Sequence, residues 1–244
     1  MVLVCYGSYY YNPHFRSFPH GGTFMFRYLS AGLALTLLLS SCHSDGQNQN
    51  SVSSHAKQTK AKVAIAPVID NSQHTVPWNL SDEITYSLYY RMDQKEKFSL
   101  DDPQKTKSVS RKLQSHNNPF GGDLKWVKRS FSQDEFVVFL ELLEHAEVPN
   151  LIDKSSQAKD CSANLNITMR VVVVDVRDAQ PQVILQEIVH DTHFIPRQFN
   201  QHNFHQVSWG SEEFTISPLG MAHSQFLKEI SSRIEDYILL AKST

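Results

Sequence analysis

The sequence predicts an α/β (α+β) protein with one folded domain at residues 61–244, a two-layer sandwich in which helices pack against a mixed β-sheet. Three observations lead to this fold class. A short apolar run precedes an amphipathic segment, alternating segments fill the second half, and the last segment carries an apolar stripe at helical spacing. The composition, 41% hydrophobic and 20% charged, is that of an ordinary globular protein.

The first half of this domain is predicted to alternate strand and helix. Residues 62–66 form an apolar run that ends at a proline, as a buried strand does. Ser81 is predicted to cap a helix whose apolar stripe continues to Met92. A short strand at residues 97–100 and a helix with Pro103 in its first turn follow. This order indicates a βαβ-type unit.

The second half is predicted to be mostly sheet, closed by an amphipathic helix. Residues 136–140 are apolar and β-prone, and residues 164–173 alternate polar with apolar side chains. Residues 183–189 follow a turn-prone segment and complete a hairpin. The final helix is capped by Ser217, and its stripe consists of Leu219, Phe226, Ile230, Ile234 and Tyr237.

The N-terminal segment has the pattern of an export signal. Arg27 precedes an apolar run at residues 29–39, which is about half the length of a membrane span. Residues 39–42 (LSSC) resemble a bacterial lipobox, which implies that Cys42 is acylated and becomes the first mature residue. Residues 1–41 are then a signal peptide, of which 1–24 are an over-extended start if translation begins at Met25. An uncleaved signal anchor is the alternative.

Residues 43–60 are polar and without periodicity, and we expect them to form a flexible tether with a reach of about 25 Å. The membrane, through the lipid on Cys42, is therefore one predicted partner, and the covalent lipid takes the place of a cofactor. His43 stands where an Asp is associated with retention at the inner membrane in lipoproteins of this kind. We therefore expect the outer membrane of a bacterial envelope, with the domain in the periplasm.

Charge and cysteine content exclude two further classes. Removing residues 1–41 takes away Arg16 and Arg27 and no acidic residue, which changes the formal net charge from −2 to −4. Nucleic acid is not an expected partner, because binding it requires a basic surface. Cys161 is left as the one usable thiol, which excludes an intramolecular disulfide. We expect it to be a small buried residue; an intermolecular disulfide is the alternative.

Catalytic and metal motifs are weak. The sequence contains no nucleophile elbow, P-loop or HExxH motif, and we predict no catalytic residue. Imidazoles suit zinc or copper, but His190 and His193 lie three apart on or near a predicted strand, so their side chains should point to opposite faces. Solvated histidines in a polar loop are therefore the favoured interpretation. The weak metal candidates are His190, His193, His202 and His205.

Two segments, residues 117–131 and 199–214, combine aromatic side chains with arginine, which is typical of protein contact surfaces. The alternative is that these rings close the ends of the core. The candidate partner-binding residues are Phe120, Trp126, Arg129, Phe204 and Trp209.

Residues 62–68, residues 70–72 and the amphipathic segment 80–92 resemble the opening of small envelope lipoproteins, among them the activators of peptidoglycan synthases and the curli-secretion lipoprotein. The whole chain is similar to envelope lipoproteins of chlamydial-type bacteria. This resemblance implies a lipidated α/β domain that acts as a non-catalytic scaffold or adaptor for another envelope protein. A cell-envelope hydrolase and a histidine-rich metal-binding lipoprotein are the alternatives.

Overall fold

The computed structural model describes residues 59–73, 76–112, 117–151, 161–199 and 207–243. The predicted signal peptide, Cys42 and the tether up to residue 58 lie outside these residues. The strands are β1 Ala61–Ile65, β2 Ile69–Asp70, β3 Phe98–Leu100, β4 Phe136–Pro149, β5 Ala163–Asp175 and β6 Gln182–Ile195. The helices are α1 Leu80–Asp93, α2 Pro103–Lys112, α3 Lys125–Ser130, α4 Glu212–Ile216 and α5 Pro218–Ser243, with a 3-10 turn at Arg197–Phe199.

The strands form one mixed sheet in the order β3-β1-β4-β5-β6, and β2 also lies beside β4. The pairs β1–β3 and β1–β4 are parallel. Helix α1 carries the chain across between β1 and β3, and α2 and α3 lie between β3 and β4. The pairs β4–β5 and β5–β6 are antiparallel hairpin partners. The predicted α/β class, the opening βαβ unit and the hairpin are therefore confirmed.

The alternation of β5 determines the two faces of the sheet. Its odd-numbered residues from Leu165 to Val173 are buried in the main core with α1 and α5, and we call this side the covered face. The even-numbered residues begin polar, at Asn164, and become apolar at Val172 and Val174. Those two valines join a second, smaller core cluster to which α3 contributes.

The cap of α1 differs from the prediction. Asn79, with extended backbone, is the N-cap, and its side chain accepts a hydrogen bond from the backbone N–H of Asp82 at 3.0 Å. Ser81 lies inside the helix, and its hydroxyl donates to the carbonyl of Val68 at 2.5 Å. The prediction for Ser81 was wrong because this hydroxyl ties the helix to the segment after β1.

The cap of α5 is confirmed, since the backbone N–H of Gly220 donates to the hydroxyl of Ser217 at 3.0 Å. Most of the predicted stripe is buried, but Tyr237 is 41% exposed, so its assignment to that stripe was wrong. Ile238, four residues after Ile234, is fully buried in its place. A stripe of 3.6-residue period alternates steps of three and four, and the sequence does not show which step ends it.

Candidate functional site

The predicted aromatic contact residues of segment 117–131 divide between core and surface. Trp126 is 6% exposed, and its ring lies 5.6 Å from that of Phe139 inside the second core cluster. Its assignment to a contact surface is corrected here: it closes the core, as the alternative interpretation had it. Phe120 is half-buried, with the guanidinium of Arg170 over its ring at 5.2 Å. Arg129 on α3 is exposed.

The second predicted segment lies partly outside the described residues. Phe204 belongs to the part that is not described. Trp209 is half-buried and stacks on Tyr86 of α1, with ring centroids 6.3 Å apart. Cys161 is buried just before the start of β5, as expected.

The metal candidates do not converge where they are described. His190 pairs with Thr168 and His193 pairs with Leu165, so their side chains lie on opposite faces of β6. These two rings therefore do not share one ion. Among the residues that the structure describes, no group of three or more His, Cys, Asp and Glu side chains has the geometry of a metal site. His202 and His205 lie outside those residues.

Opposite the covered face, β5 and β6 present a surface that we call the open face. It consists of Asn164, Asn166, Thr168, Arg170, Ile188, His190, Thr192 and Phe194. Its polar side chains are linked: Thr168 lies 2.8 Å from both Glu144 and His190, and Arg170 pairs with Glu141 at 2.9 Å. Two large apolar side chains stand out from this polar surface, Ile188 at 59% and Phe194 at 62% exposure.

A buried polar cluster that sequence reasoning missed links three elements of the main core. We call it the Glu–His–His cluster: Glu83 of α1, His145 of β4 and His223 of α5 are each at most 5% exposed. His223 Nδ1 lies 2.6 Å from Glu83 Oε1, and His223 Nε2 lies 2.8 Å from His145 Nε2. The indole N–H of Trp78 donates to Glu83 Oε2 at 2.6 Å.

The presence of His145 in this cluster depends on a β-bulge. Leu142 pairs with Met169, whereas Glu144 pairs with Thr168, so Leu143 is the extra residue. This extra residue reverses the alternation of β4, which turns His145 toward the covered face and Glu144 toward the open face. Strict alternation after Leu142 places these two side chains the other way round.

Both ring nitrogens of His223 have partners in the cluster. Nδ1 donates to the Glu83 carboxylate, and Nε2 shares one proton with His145 Nε2, where the donor depends on the ring tautomers.

A carboxylate that orients a histidine is also how hydrolases position a general base. In a hydrolase the next group is a hydroxyl or thiol nucleophile that substrate reaches. Here the imidazole of His145 occupies that position, and the ring of Phe214 packs against His223 with centroids 5.8 Å apart. This geometry holds α1, β4 and α5 together and exposes no reactive atom of its own.

Asp134, on the segment between α3 and β4, is another buried carboxylate. Asp134, 7% exposed, precedes β4 and lines a cleft against α2. Burial, and then the charge of Asp101, raise the pKa of the Asp134 carboxyl from 3.8 to about 6, against smaller opposing effects of Lys105 and Lys62.

None of the helices in the described part of the chain combines the length and apolar character that a membrane span requires. The model of a family of unknown function, DUF7499, matches residues 49–242. No curated protein matches the chain.

Three solved structures are similar to this chain to different degrees. The hypothetical protein CT253 from Chlamydia trachomatis is 23% identical, with a TM-score of 0.58 over 74% of this chain and 98% of that one. Lipoprotein GNA1162 from Neisseria meningitidis is 10% identical, with a TM-score of 0.38 over 70% and 99% of the two chains. The C-terminal domain of LpoB from Salmonella enterica is 12% identical, with a TM-score of 0.32 over 55% and 84%. The likeness to CT253 shows a common fold, and the two lower scores carry no argument about this chain.

Proposed function

This chain belongs to the DUF7499 family of unknown function, and we propose that it is a lipid-anchored protein of the bacterial envelope whose domain binds another envelope protein through the open face. On this proposal Cys42 carries the anchor, and the outer membrane is favoured over the inner. The domain is a non-catalytic scaffold or adaptor. The observation that carries the proposal is the exposed pair Ile188 and Phe194 on the edge strand of the sheet.

The first support is the apolar surface itself. Ile188 and Phe194 lie on the same face of β6, separated by His190 and Thr192. Large apolar side chains that stand out from a polar surround are typical of the centre of a protein contact surface. The surrounding side chains are already hydrogen-bonded to one another, so little additional ordering opposes binding.

The second support is the free edge of the sheet. Among the strands that the structure describes, β5 alone pairs with β6, and β6 is 14 residues long. Its outer edge presents alternating backbone N–H and C=O groups, which a strand from another protein can pair with. The open face and this edge are continuous, so one partner segment can use both.

The absence of catalysis in the proposal is supported by the site chemistry. The carboxylate–histidine pair Glu83 and His223 is buried, and His223 contacts His145 instead of a nucleophile. A binding role uses the groups that are exposed, whereas a hydrolytic role requires substrate to enter the main core.

Site-specific photo-crosslinking in intact cells tests the contact surface. A photo-reactive phenylalanine analogue replaces Phe194, and in a matched variant it replaces Met221, which is 53% exposed on α5. We expect a discrete protein adduct from position 194 and none from position 221. Ile188→Asp, added to the first variant, should abolish the adduct, because a charge replaces the other exposed apolar side chain of the open face. Equal adducts from both positions, or an adduct that survives Ile188→Asp, would refute this use of the open face.

The anchor is tested separately by mass spectrometry of the native protein. We expect a mature chain that begins at a lipid-modified Cys42, and we expect Cys42→Ser to leave the membrane fraction. A native chain with Cys42 unmodified and residues 1–41 attached would refute the anchor. It would not affect the proposal that the open face binds another protein.

A further inference from the structure

The cleft beside Asp134 has the size and charge of a small binding site. Its walls come from α2 and from residues 130–134, and its volume is about 50 Å³. A buried water needs roughly 10–15 Å³ by such a measure, so the cleft has room for a group of a few heavy atoms. We call this the Asp134 cleft.

Two carboxylates, Asp101 and Asp134, and two ammonium groups, Lys105 and Lys62, act at the cleft. Lys105 pairs with Asp101, with Nζ and Oδ2 2.5 Å apart. Asp134 Oδ1 is buried and has no hydrogen-bond partner among the described residues, although the side chain is more than nine-tenths buried. A buried carboxylate oxygen without a donor is costly, and a cation that donates N–H groups removes that cost.

The walls select the kind of cation. Val109 and Phe131 provide apolar surface. The hydroxyl of Thr106 donates to the carbonyl of Pro103, so its oxygen lone pairs are left as acceptors. A calcium or magnesium ion requires about six oxygen ligands. An alkylammonium group instead requires hydrogen-bond acceptors at one end and apolar contact along its chain. An anion is repelled by Asp134, and the charge of Lys105 is already offset by its ion pair with Asp101.

We propose that the Asp134 cleft binds a primary alkylammonium group, whose N–H groups are accepted by Asp134 Oδ1 and whose alkyl chain packs on Val109 and Phe131. The group is either a free small amine or a lysine side chain of another protein. This inference does not depend on the open face or on the anchor.

The experiment is a titration of the full-length protein in detergent, labelled with ¹³C at the aspartate carboxyls and with ¹⁵N at the backbone amides, and followed by NMR. The probes are n-butylamine, Nα-acetyl-lysine amide and, as the uncharged control, n-butanol. We expect a saturable shift of the Asp134 carboxyl signal with a Kd on the order of 10 mM, as suits a ligand of few heavy atoms. The butanol control should cause no shift.

Two variants make the result specific. Asp134→Asn should remove binding, which a second signal, the backbone amide of Phe131, reports. Val109→Phe keeps the carboxylate but fills the cleft, and it should weaken binding at least about tenfold. Asp236→Asn, an exposed aspartate on α5, is the matched control and should bind as the wild type does.

Binding of n-butylamine alone supports the proposal with a free amine as the ligand, and binding of both amines supports it with a lysine side chain included. The proposal is overturned if neither amine gives a saturable shift at about ten times the expected Kd. It is also overturned if n-butanol binds equally well, or if binding is unchanged in either Asp134→Asn or Val109→Phe.

Discussion

Replacing Asp134 by asparagine is expected to stabilise the domain at neutral pH and to have little effect in acid. In the folded state, burial and the charge of Asp101 raise the pKa of the Asp134 carboxyl to about 6, against 3.8 without these effects. A difference of about two pKa units corresponds to roughly 3 kcal/mol. Asparagine has the same shape without the ionisation, so the variant does not carry this cost.

The sign of the effect follows from proton binding. Because the folded-state pKa is the higher one, the folded state binds the proton more tightly than the unfolded chain does. The wild type is therefore most stable, with respect to this group, below about pH 4, and it loses stability as the pH rises to about 6. The free energy of unfolding of Asp134→Asn, relative to wild type, should rise from near zero to as much as about 3 kcal/mol across that window.

Urea unfolding of both proteins at a series of pH values between about 3.5 and 8 measures this difference directly. Taking the difference cancels the titration of all other groups. Asp236→Asn, in which an exposed aspartate is changed, should differ from wild type by a small constant amount. A difference for Asp134→Asn that does not vary with pH, or that falls as pH rises, would refute the assignment of Asp134 as a buried carboxyl with a raised pKa.

Two further substitutions test the main core. His223→Ala leaves the carboxylate of the Glu–His–His cluster buried without its imidazole, so it should lower the free energy of unfolding by about 3–5 kcal/mol. The matched change at an exposed histidine, His190→Ala, should lower it by less than about 0.5 kcal/mol. Urea unfolding measures both values, and equal losses would contradict the structural role of the cluster. Alanine normally favours a helix over glycine by about 1 kcal/mol, but a Cβ at Gly220 overlaps the backbone carbonyl of Phe214. Gly220→Ala should therefore lower the melting temperature, while Gly122→Ala, with open space around it, should not; an unchanged melting temperature in Gly220→Ala would be inconsistent with this contact.

The elements that sequence reasoning placed well have a local cause. The alternation of β5 from Leu165 to Val173 and the stripe of α5 from Leu219 to Ile234 follow from the periods of strand and helix, which act between near neighbours. The errors lie where two local signals compete. Asn79 and Ser81 are both residue types that cap helices well. Asn79 is the cap in the structure, because the hydroxyl of Ser81 donates to the carbonyl of Val68 instead.

The sequence indicates part of the Glu–His–His cluster, but it does not show which residues form it. Glu83 stands on the apolar stripe of α1, and His223 stands between Leu219 and Phe226 on that of α5. A polar residue on such a stripe indicates a buried partner, because its burial must be compensated. The partner's identity cannot be read in this way, since the two residues are 140 positions apart.

The sequence by itself determined the α/β class, the order of most elements and the expectation of an acylated cysteine, because these depend on patterns within a few residues. The tertiary structure decided which polar groups meet. The bulge at Leu143 turned His145 inward, the packing of α5 brought His223 to Glu83, and the chain before β4 placed Asp134 against α2. The physical reason is that the burial and the electrostatic environment of a side chain depend on all of its neighbours in space. Local periodicity does not specify those neighbours.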